Sequence, residues 1–115
     1  MESAEKISIG REGESKAVEY LISIGHEIIT QNYRNYIGEI DIISSCKETV
    51  YFSEVKYWRG SFSNPLEIFT KVKMNKMRKL AEIFLANRID FKNSFVSFCL
   101  IEVKAEKVNF HKNLF

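Results

Sequence analysis

Apolar residues recur at helical and strand spacings along the chain and predict an alternating order of helices and strands. Between Arg11 and Ile24 the apolar positions repeat every three or four residues, which is typical of an amphipathic helix, and Gly25 is a natural stop. Five other segments lack helical periodicity and are rich in β-branched and aromatic residues, which predicts strands. These strands are predicted over residues 26–33, 38–44, 49–57, 95–103 and 107–111.

A second helix is predicted to begin at Asn64, which can cap it, with Pro65 in the first turn and Glu67 in the capping-box position. Its apolar positions continue to about Asn87, and a kink is expected near Thr70, where the pattern changes. The predicted order is therefore helix, three strands, helix and two strands. We expect a single domain over residues 1–115, since no repeat or linker interrupts the pattern.

Composition narrows the class of protein. The chain has 115 residues, of which 45% are hydrophobic and one is proline, so a disordered or collagen-like chain is excluded. No apolar run approaches the roughly 20 residues of a membrane helix, and no secretory signal is visible. Cys46 and Cys99 are too few for a disulfide framework or a metal knuckle. We expect a cytoplasmic protein with no membrane partner.

The net charge of +2 hides an uneven distribution. Residues 1–55 hold ten acids and five bases, giving −5, whereas residues 56–115 hold five acids and twelve bases, giving +7. Many of the bases lie at helical spacing in the second predicted helix, which favours a folded basic face suited to the phosphates of a polyanion. A solvated helix face is the alternative. The bases of this helix are Lys71, Lys73, Lys76, Arg78 and Lys79.

Strand alternation places Glu54 and Lys56 on one face of the third predicted strand, together with Val50 and Phe52. A carboxylate and an amine therefore emerge together at the end of an apolar strand. The alternative is an exposed ion pair on a surface hairpin, which would contribute little to stability.

In the second predicted strand, the same alternation places Asp41 on a face with Glu39 and Ile43, while Ile40 and Ile42 fill the other face. Because a hairpin joins the two strands, we expect the carboxylates of the second and third strands to lie side by side, within reach of one cation. Glu39 is either an auxiliary partner of that cation or part of a salt bridge at the sheet edge.

Glu14 adds a third carboxylate. It lies on the apolar stripe of the first helix, four residues before Val18 and seven before Leu21, where a charge needs a partner. Three converging carboxylates repel one another unless a cation with oxygen preference, such as Mg²⁺ or Mn²⁺, neutralises them. Lys56 would then orient a water and stabilise charge on a phosphoryl oxygen, which fits phosphodiester hydrolysis. Alternatively, Glu14 is a first-turn glutamate favoured by the helix dipole.

In four blocks, residues 10–17, 38–43, 52–56 and 65–73, the chain resembles the YraN-like family of small uncharacterised proteins. Asp41, twelve intervening residues and then Glu54-Val55-Lys56 also resemble the PD-(D/E)XK signature of the restriction-endonuclease-like nucleases. The resemblance implies a three-layer α/β fold of this type, with a mixed sheet in the order αβββαβ and a short extra C-terminal strand.

The resemblance also implies functional roles. Asp41 and Glu54 would ligate Mg²⁺ or Mn²⁺, Glu14 would assist directly or through water, and Lys56 would position the attacking water and the scissile phosphate. Lys73 would be the member of the second helix nearest to the site.

Contacts to nucleic acid, DNA more than RNA, are expected from Lys71, Lys73, Lys76 and Arg59. The aromatic pair Tyr57-Trp58 either stacks on an unpaired base or covers the end of the sheet. A homodimer is expected, because related resolvases act as dimers. Two alternatives to a nuclease stay open: a binding module without turnover that acts with a DNA-processing partner, and a structural protein with no salt-dependent nucleic-acid binding.

Overall fold

A five-stranded sheet forms the centre of the computed structural model, which describes residues 4–58 and 64–115. The strands lie in the order in which they occur in the chain; β3 and β4 are parallel, and the other neighbours are antiparallel. The predicted mixed sheet and element order are confirmed. The strands are β1 (Glu27–Arg34), β2 (Glu39–Cys46), β3 (Thr49–Tyr57), β4 (Phe95–Lys104) and β5 (Lys107–His111). The helices are α1 (Ala4–Ser23), α2 (Pro65–Ile68) and α3 (Lys71–Ala86).

Two apolar clusters cover the two faces of the sheet. On the face towards α1, Ala17 and Leu21 pack against buried residues of β2 and β4. On the face towards α3, a larger cluster joins that helix to β2, β3 and β4. We call these the α1 face and the α3 face. The buried members on the α1 face are Ala17, Leu21, Ile42, Ile101 and Val103. Those on the α3 face are Ile40, Ile43, Val50, Phe52, Phe69, Met77, Leu80, Ala81, Phe84, Phe98 and Leu100.

Helix α1 begins earlier than residue 11, where the apolar stripe begins, so the predicted start was wrong by seven residues. The prediction relied on the apolar stripe alone. Residues 4–10 lie before it and include good helix formers such as alanine, glutamate and lysine. The predicted stop is confirmed. Gly25 has a φ of +95°, and the N–H groups of Gly25 and His26 donate to the carbonyls of Ile22 and Leu21 at 3.0 and 2.9 Å, which is a Schellman cap.

The second predicted helix is two helices, because the chain is extended at Thr70, with φ −75° and ψ 164°. The Thr70 hydroxyl accepts a hydrogen bond from the Lys73 N–H at 3.2 Å and caps α3. The interruption also buries Phe69 in the α3-face cluster. The expected kink near Thr70 is therefore a complete break between α2 and α3.

The prediction that Ile40 and Ile42 share a face is wrong. Ile40 packs with Ile43 on the α3 face, whereas Ile42 packs on the α1 face. The irregularity coincides with Asn32 of β1, which has a left-handed φ of 54° that asparagine tolerates better than most residues. Asn32 lies opposite Asp41, between the Gln31–Ile42 and Tyr33–Ile40 pairs. The alternation of faces is therefore interrupted at Asp41, a predicted site residue.

None of the helices in the described ranges is long and apolar enough to span a membrane.

Candidate active site

A cleft of about 340 Å³ opens between the sheet and α3 where β2 and β3 separate. The ladder between these strands ends at the Ile42–Ser53 pair, and Asp41 and Glu54 are the next residues along. Both carboxylates line the cleft, and α3 closes it from the other side. The lining residues are Gly38, Glu39, Ile40, Asp41, Glu54, Thr70, Val72, Lys73, Lys76, Met77 and Leu80.

Asp41 takes the place of a strand partner at this point. Its Oδ2 accepts a hydrogen bond from the backbone N–H of Val55 at 2.8 Å. Burial raises the pKa of Asp41 to about 6; the Val55 hydrogen bond opposes this shift, and the negative charges of Glu54, Glu14 and Glu39 add to it. Both burial and the charges of three neighbouring acids therefore oppose ionisation of Asp41, and burial is the larger cause.

Glu54 is largely enclosed, with its side chain 15% exposed. Its Oε1 accepts a hydrogen bond from the ammonium of Lys73 and lies 3.7 Å from the ammonium of Lys56. Its Oε2 is buried and has no hydrogen-bond partner among the described residues. Burying a carboxylate oxygen without a hydrogen-bond partner destabilises the folded state unless a cation or another donor contacts it.

The predicted basic residues occupy different places. Lys56 and Lys73 are partly exposed and both contact Glu54, whereas Lys76 is exposed and lines the cleft. Lys71 is exposed at the first position of α3 and does not line the cleft. The predicted contact residue Arg59 lies outside the described residues.

Glu14 approaches Asp41 from α1 but lines a separate shallow depression with Gln31. Asn32 joins it to the site: with its amide nitrogen turned towards the carboxylates, it donates to Glu39 Oε1 at 2.9 Å and to Glu14 Oε1 at 3.2 Å. Asn32 was not predicted from the sequence. An asparagine near the end of a predicted strand is common, so only the left-handed backbone of Asn32 within β1 distinguishes it.

Within residues 4–58 and 64–115, no three histidine, cysteine or acidic side chains are arranged around one metal-sized space. Three carboxylates line the cleft: Glu39, which is exposed, and Asp41 and Glu54, which are more enclosed. Glu14 is linked to Glu39 through Asn32 and to Asp41 through charge. The donor set is composed of oxygens, which suits Mg²⁺ or Mn²⁺ with waters completing the shell. The unpartnered Glu54 Oε2 is the specific atom that fits such an ion.

Glu102 is a second polar residue that was not predicted. It is 1% exposed, its Oε1 lies 2.7 Å from His111 Nε2, and it pairs in register with Lys56 of the neighbouring parallel strand. Residues opposite each other on adjacent strands share a face, so the carboxyl group of Glu102 lies on the same face of the sheet as Lys56. A single acid inside the apolar run of β4 was the available indication in the sequence.

The aromatic pair after Lys56 covers the sheet. Tyr57 packs on the α1 face and is so close to Gly13 that a Cβ there would lie 2.9 Å from Tyr57 Cδ2. The backbone N–H of Trp58 donates to the Val103 carbonyl at 2.8 Å, and the indole nitrogen of Trp58 is buried. Gly13 thereby permits the close approach of α1 that brings Glu14 near Asp41.

Comparison with protein-family models gives a match over most of the chain. The model of "Uncharacterised protein family UPF0102" matches residues 13–103, which include Glu14, Asp41, Glu54, Lys56 and Lys73. The chain belongs to the UPF0102 family.

Curated members of this family align along most of the chain. A UPF0102 protein of Leptospira interrogans serogroup Icterohaemorrhagiae serovar Lai is 52% identical over 99 residues, covering 85% of each chain. One from Clostridium novyi is 40% identical over 114 residues, covering 93% of this chain and 94% of its own. One from Caldicellulosiruptor saccharolyticus is 39% identical over 99 residues, covering 85% and 83%. The YraN-like resemblance of the four blocks is confirmed.

Proposed function

We propose that this chain is a metal-dependent nuclease that hydrolyses phosphodiester bonds in nucleic acid, with DNA as the preferred polymer. The observation that carries the proposal is the pairing of two carboxylates, Asp41 and Glu54, with Lys73 at one cleft. The ammonium of Lys56 adds a second amine, 3.7 Å from Glu54 Oε1. The resemblance of the Asp41, Glu54 and Lys56 spacing to the PD-(D/E)XK signature supports the same chemistry.

Asp41 and Glu54 would hold Mg²⁺ or Mn²⁺, and Glu14 would contribute through water. The buried, unpartnered Glu54 Oε2 and the raised pKa of Asp41 support this assignment, because a bound cation would compensate both. When bound, the ion supplies a Lewis acid that lowers the pKa of a coordinated water and offsets charge on the phosphoryl group.

The chain's own side chains would position the reactants. The Lys56 ammonium, 3.7 Å from Glu54 Oε1 and partly exposed, is placed to donate to the attacking water or to a phosphate oxygen. Lys73 holds Glu54 in orientation through its hydrogen bond, and the exposed Lys76 on the cleft wall would contact a neighbouring phosphate. Hydrolysis adds water across one P–O bond and leaves a phosphate monoester and a hydroxyl group.

A binding module without turnover is the second candidate function. The hydrogen bond between Lys73 and Glu54 favours it, because that ammonium already neutralises the carboxylate in the absence of a cation. In this case the basic surface of α3 would bind the polymer, and a partner protein would supply the chemistry.

Cleavage assays separate the two functions. Branched, single-stranded and duplex DNA and single-stranded RNA are incubated with the protein and Mg²⁺ or Mn²⁺. The nuclease proposal predicts metal-dependent products that disappear in Lys56→Ala and persist in Lys47→Ala, an exposed lysine in the β2–β3 turn. Binding of every substrate without cleavage would support the module instead.

A further inference from the structure

The turn between β1 and β2 carries Tyr36, which is 95% exposed and the most exposed large apolar side chain among the described residues. The turn itself is held in place. The Asn35 N–H donates to the Gly38 carbonyl at 3.1 Å, the Ile37 N–H donates to Asn35 Oδ1 at 2.8 Å, and Ile37 packs against the α3-face cluster. An ordered turn thus presents an aromatic ring to solvent.

Tyr36 lies at the edge of a second surface depression, of about 510 Å³, which continues the cleft. Val72 and Lys76 line both spaces, and Lys79 and Asn75 complete the second one. A polymer that enters the carboxylate cleft along α3 would therefore pass Lys76 and arrive at Tyr36.

The chemistry of this depression matches a nucleotide. An exposed aromatic face stacks on a base, Lys76 and Lys79 are exposed cations for flanking phosphates, and Val72 adds an apolar contact. No acid interrupts residues 70–81. A second copy of the chain, placed by a two-fold axis over Tyr36, would bring the lysines of both copies together, and like charges would oppose that contact.

We propose that Tyr36, Val72, Lys76 and Lys79 form a subsite that stacks an unpaired base and holds its neighbouring phosphates. The substrate is then single-stranded nucleic acid, or a junction that presents unpaired nucleotides beside the cleft. The inference rests on the proposed function in taking nucleic acid as the ligand. Because a base stacked on an aromatic side chain contributes substantially to the affinity, loss of the ring should weaken binding about tenfold.

The test measures binding by fluorescence anisotropy in the presence of a chelator. The probes are a fluorescein-labelled oligothymidylate of about 12 nucleotides, within the length of common single-strand sites, and an abasic strand with the same number of phosphates. Tyr36→Ala should weaken oligothymidylate binding about tenfold and leave abasic binding unchanged, and Tyr36→Phe should retain both. Lys79→Ala should weaken both strands equally and reduce the salt dependence.

Phe95→Ala is the matched control, since it removes a ring that is 67% exposed at the end of β3 and β4 away from the cleft. This variant should change neither affinity. Equal weakening of both strands by Tyr36→Ala, no weakening at all, or conversion of a dimer to a monomer in sedimentation would overturn the inference. Cleavage that depends on Lys56, with no effect of Tyr36→Ala, would retain the nuclease and reject the subsite. Binding that depends on the bases and on Tyr36, without cleavage, would support the subsite and reject the nuclease.

Discussion

Replacing Asp41 by asparagine should stabilise the metal-free protein at neutral pH. The substitution removes a negative charge that the fold holds in a largely enclosed place near Glu54, Glu14 and Glu39. Burial and these neighbours raise the pKa of Asp41 from 3.8 to about 6. At about 1.4 kcal/mol per pKa unit, ionising Asp41 costs the folded state about 3 kcal/mol.

The sign of the pH dependence follows from proton binding. Between about pH 4 and 6 the folded protein keeps a proton on Asp41 that the unfolded chain has released, so the free energy of unfolding falls as pH rises through this window. Above this pH window the full cost of ionising Asp41 lowers the free energy of unfolding, and below the window Asp41 is protonated and the cost is absent. The amide introduced by Asp41→Asn stays neutral at every pH, and its carbonyl oxygen can still accept the Val55 hydrogen bond.

Urea unfolding of metal-free protein between pH 4 and 8, followed by circular dichroism, checks the prediction. Asp41→Asn should be more stable than the wild type by about 2–3 kcal/mol at pH 7.5, and the difference should vanish near pH 4. Glu19→Gln, at an exposed position of α1, is the control and should change stability by less than about 0.5 kcal/mol at each pH. A difference that does not vary with pH, or a variant less stable at pH 7.5, would refute the electrostatic account.

Two further substitutions test the surroundings of the cleft. Lys73→Met should lower stability by about 1–3 kcal/mol in thermal unfolding, because it leaves the enclosed Glu54 without its charged donor, and added Mg²⁺ should restore more stability than in the wild type. Lys76→Met, at an exposed position, should cost less than about 0.5 kcal/mol. Gly13→Ala should lower stability in urea by about 1 kcal/mol, since contact with Tyr57 outweighs the helix propensity gained. Equal effects of Lys73→Met and Lys76→Met would contradict the role given to the Glu54 contact, and an unchanged or increased stability of Gly13→Ala would contradict the close approach of α1 to β3.

The fold followed from periodicity because each strand and each long helix buries a face. Strand β3 was predicted at its observed bounds, since Val50 and Phe52 pack on the α3 face while Val55 and Tyr57 pack on the α1 face, as strand alternation requires. The break between α2 and α3 was harder, because Phe69 and Thr70 fit a continuous helix by composition. Tertiary burial of Phe69 and the cap at Thr70 decide that boundary.

The candidate site was predictable to the extent that it depends on strand spacing. Glu54 and Lys56 are two residues apart on one strand, so their common face needed no tertiary information. Predicting the roles of Asn32 and Glu102 required knowledge of the tertiary structure. The first depends on a left-handed residue that disturbs the alternation of β1 and β2, and the second on the parallel register of β3 and β4, which residues far apart in sequence create.

The measurement that tests the central claim most directly is a Mn²⁺ titration followed by electron paramagnetic resonance, which counts bound ions. We predict one Mn²⁺ per chain in the wild type and none in Asp41→Asn or Glu54→Gln at the same free Mn²⁺ concentration. The amide variants keep the shape of the side chains and remove the charged oxygens. Retention of Mn²⁺ by both variants, or its absence from the wild type, would contradict the assignment of Asp41 and Glu54 as the cation site.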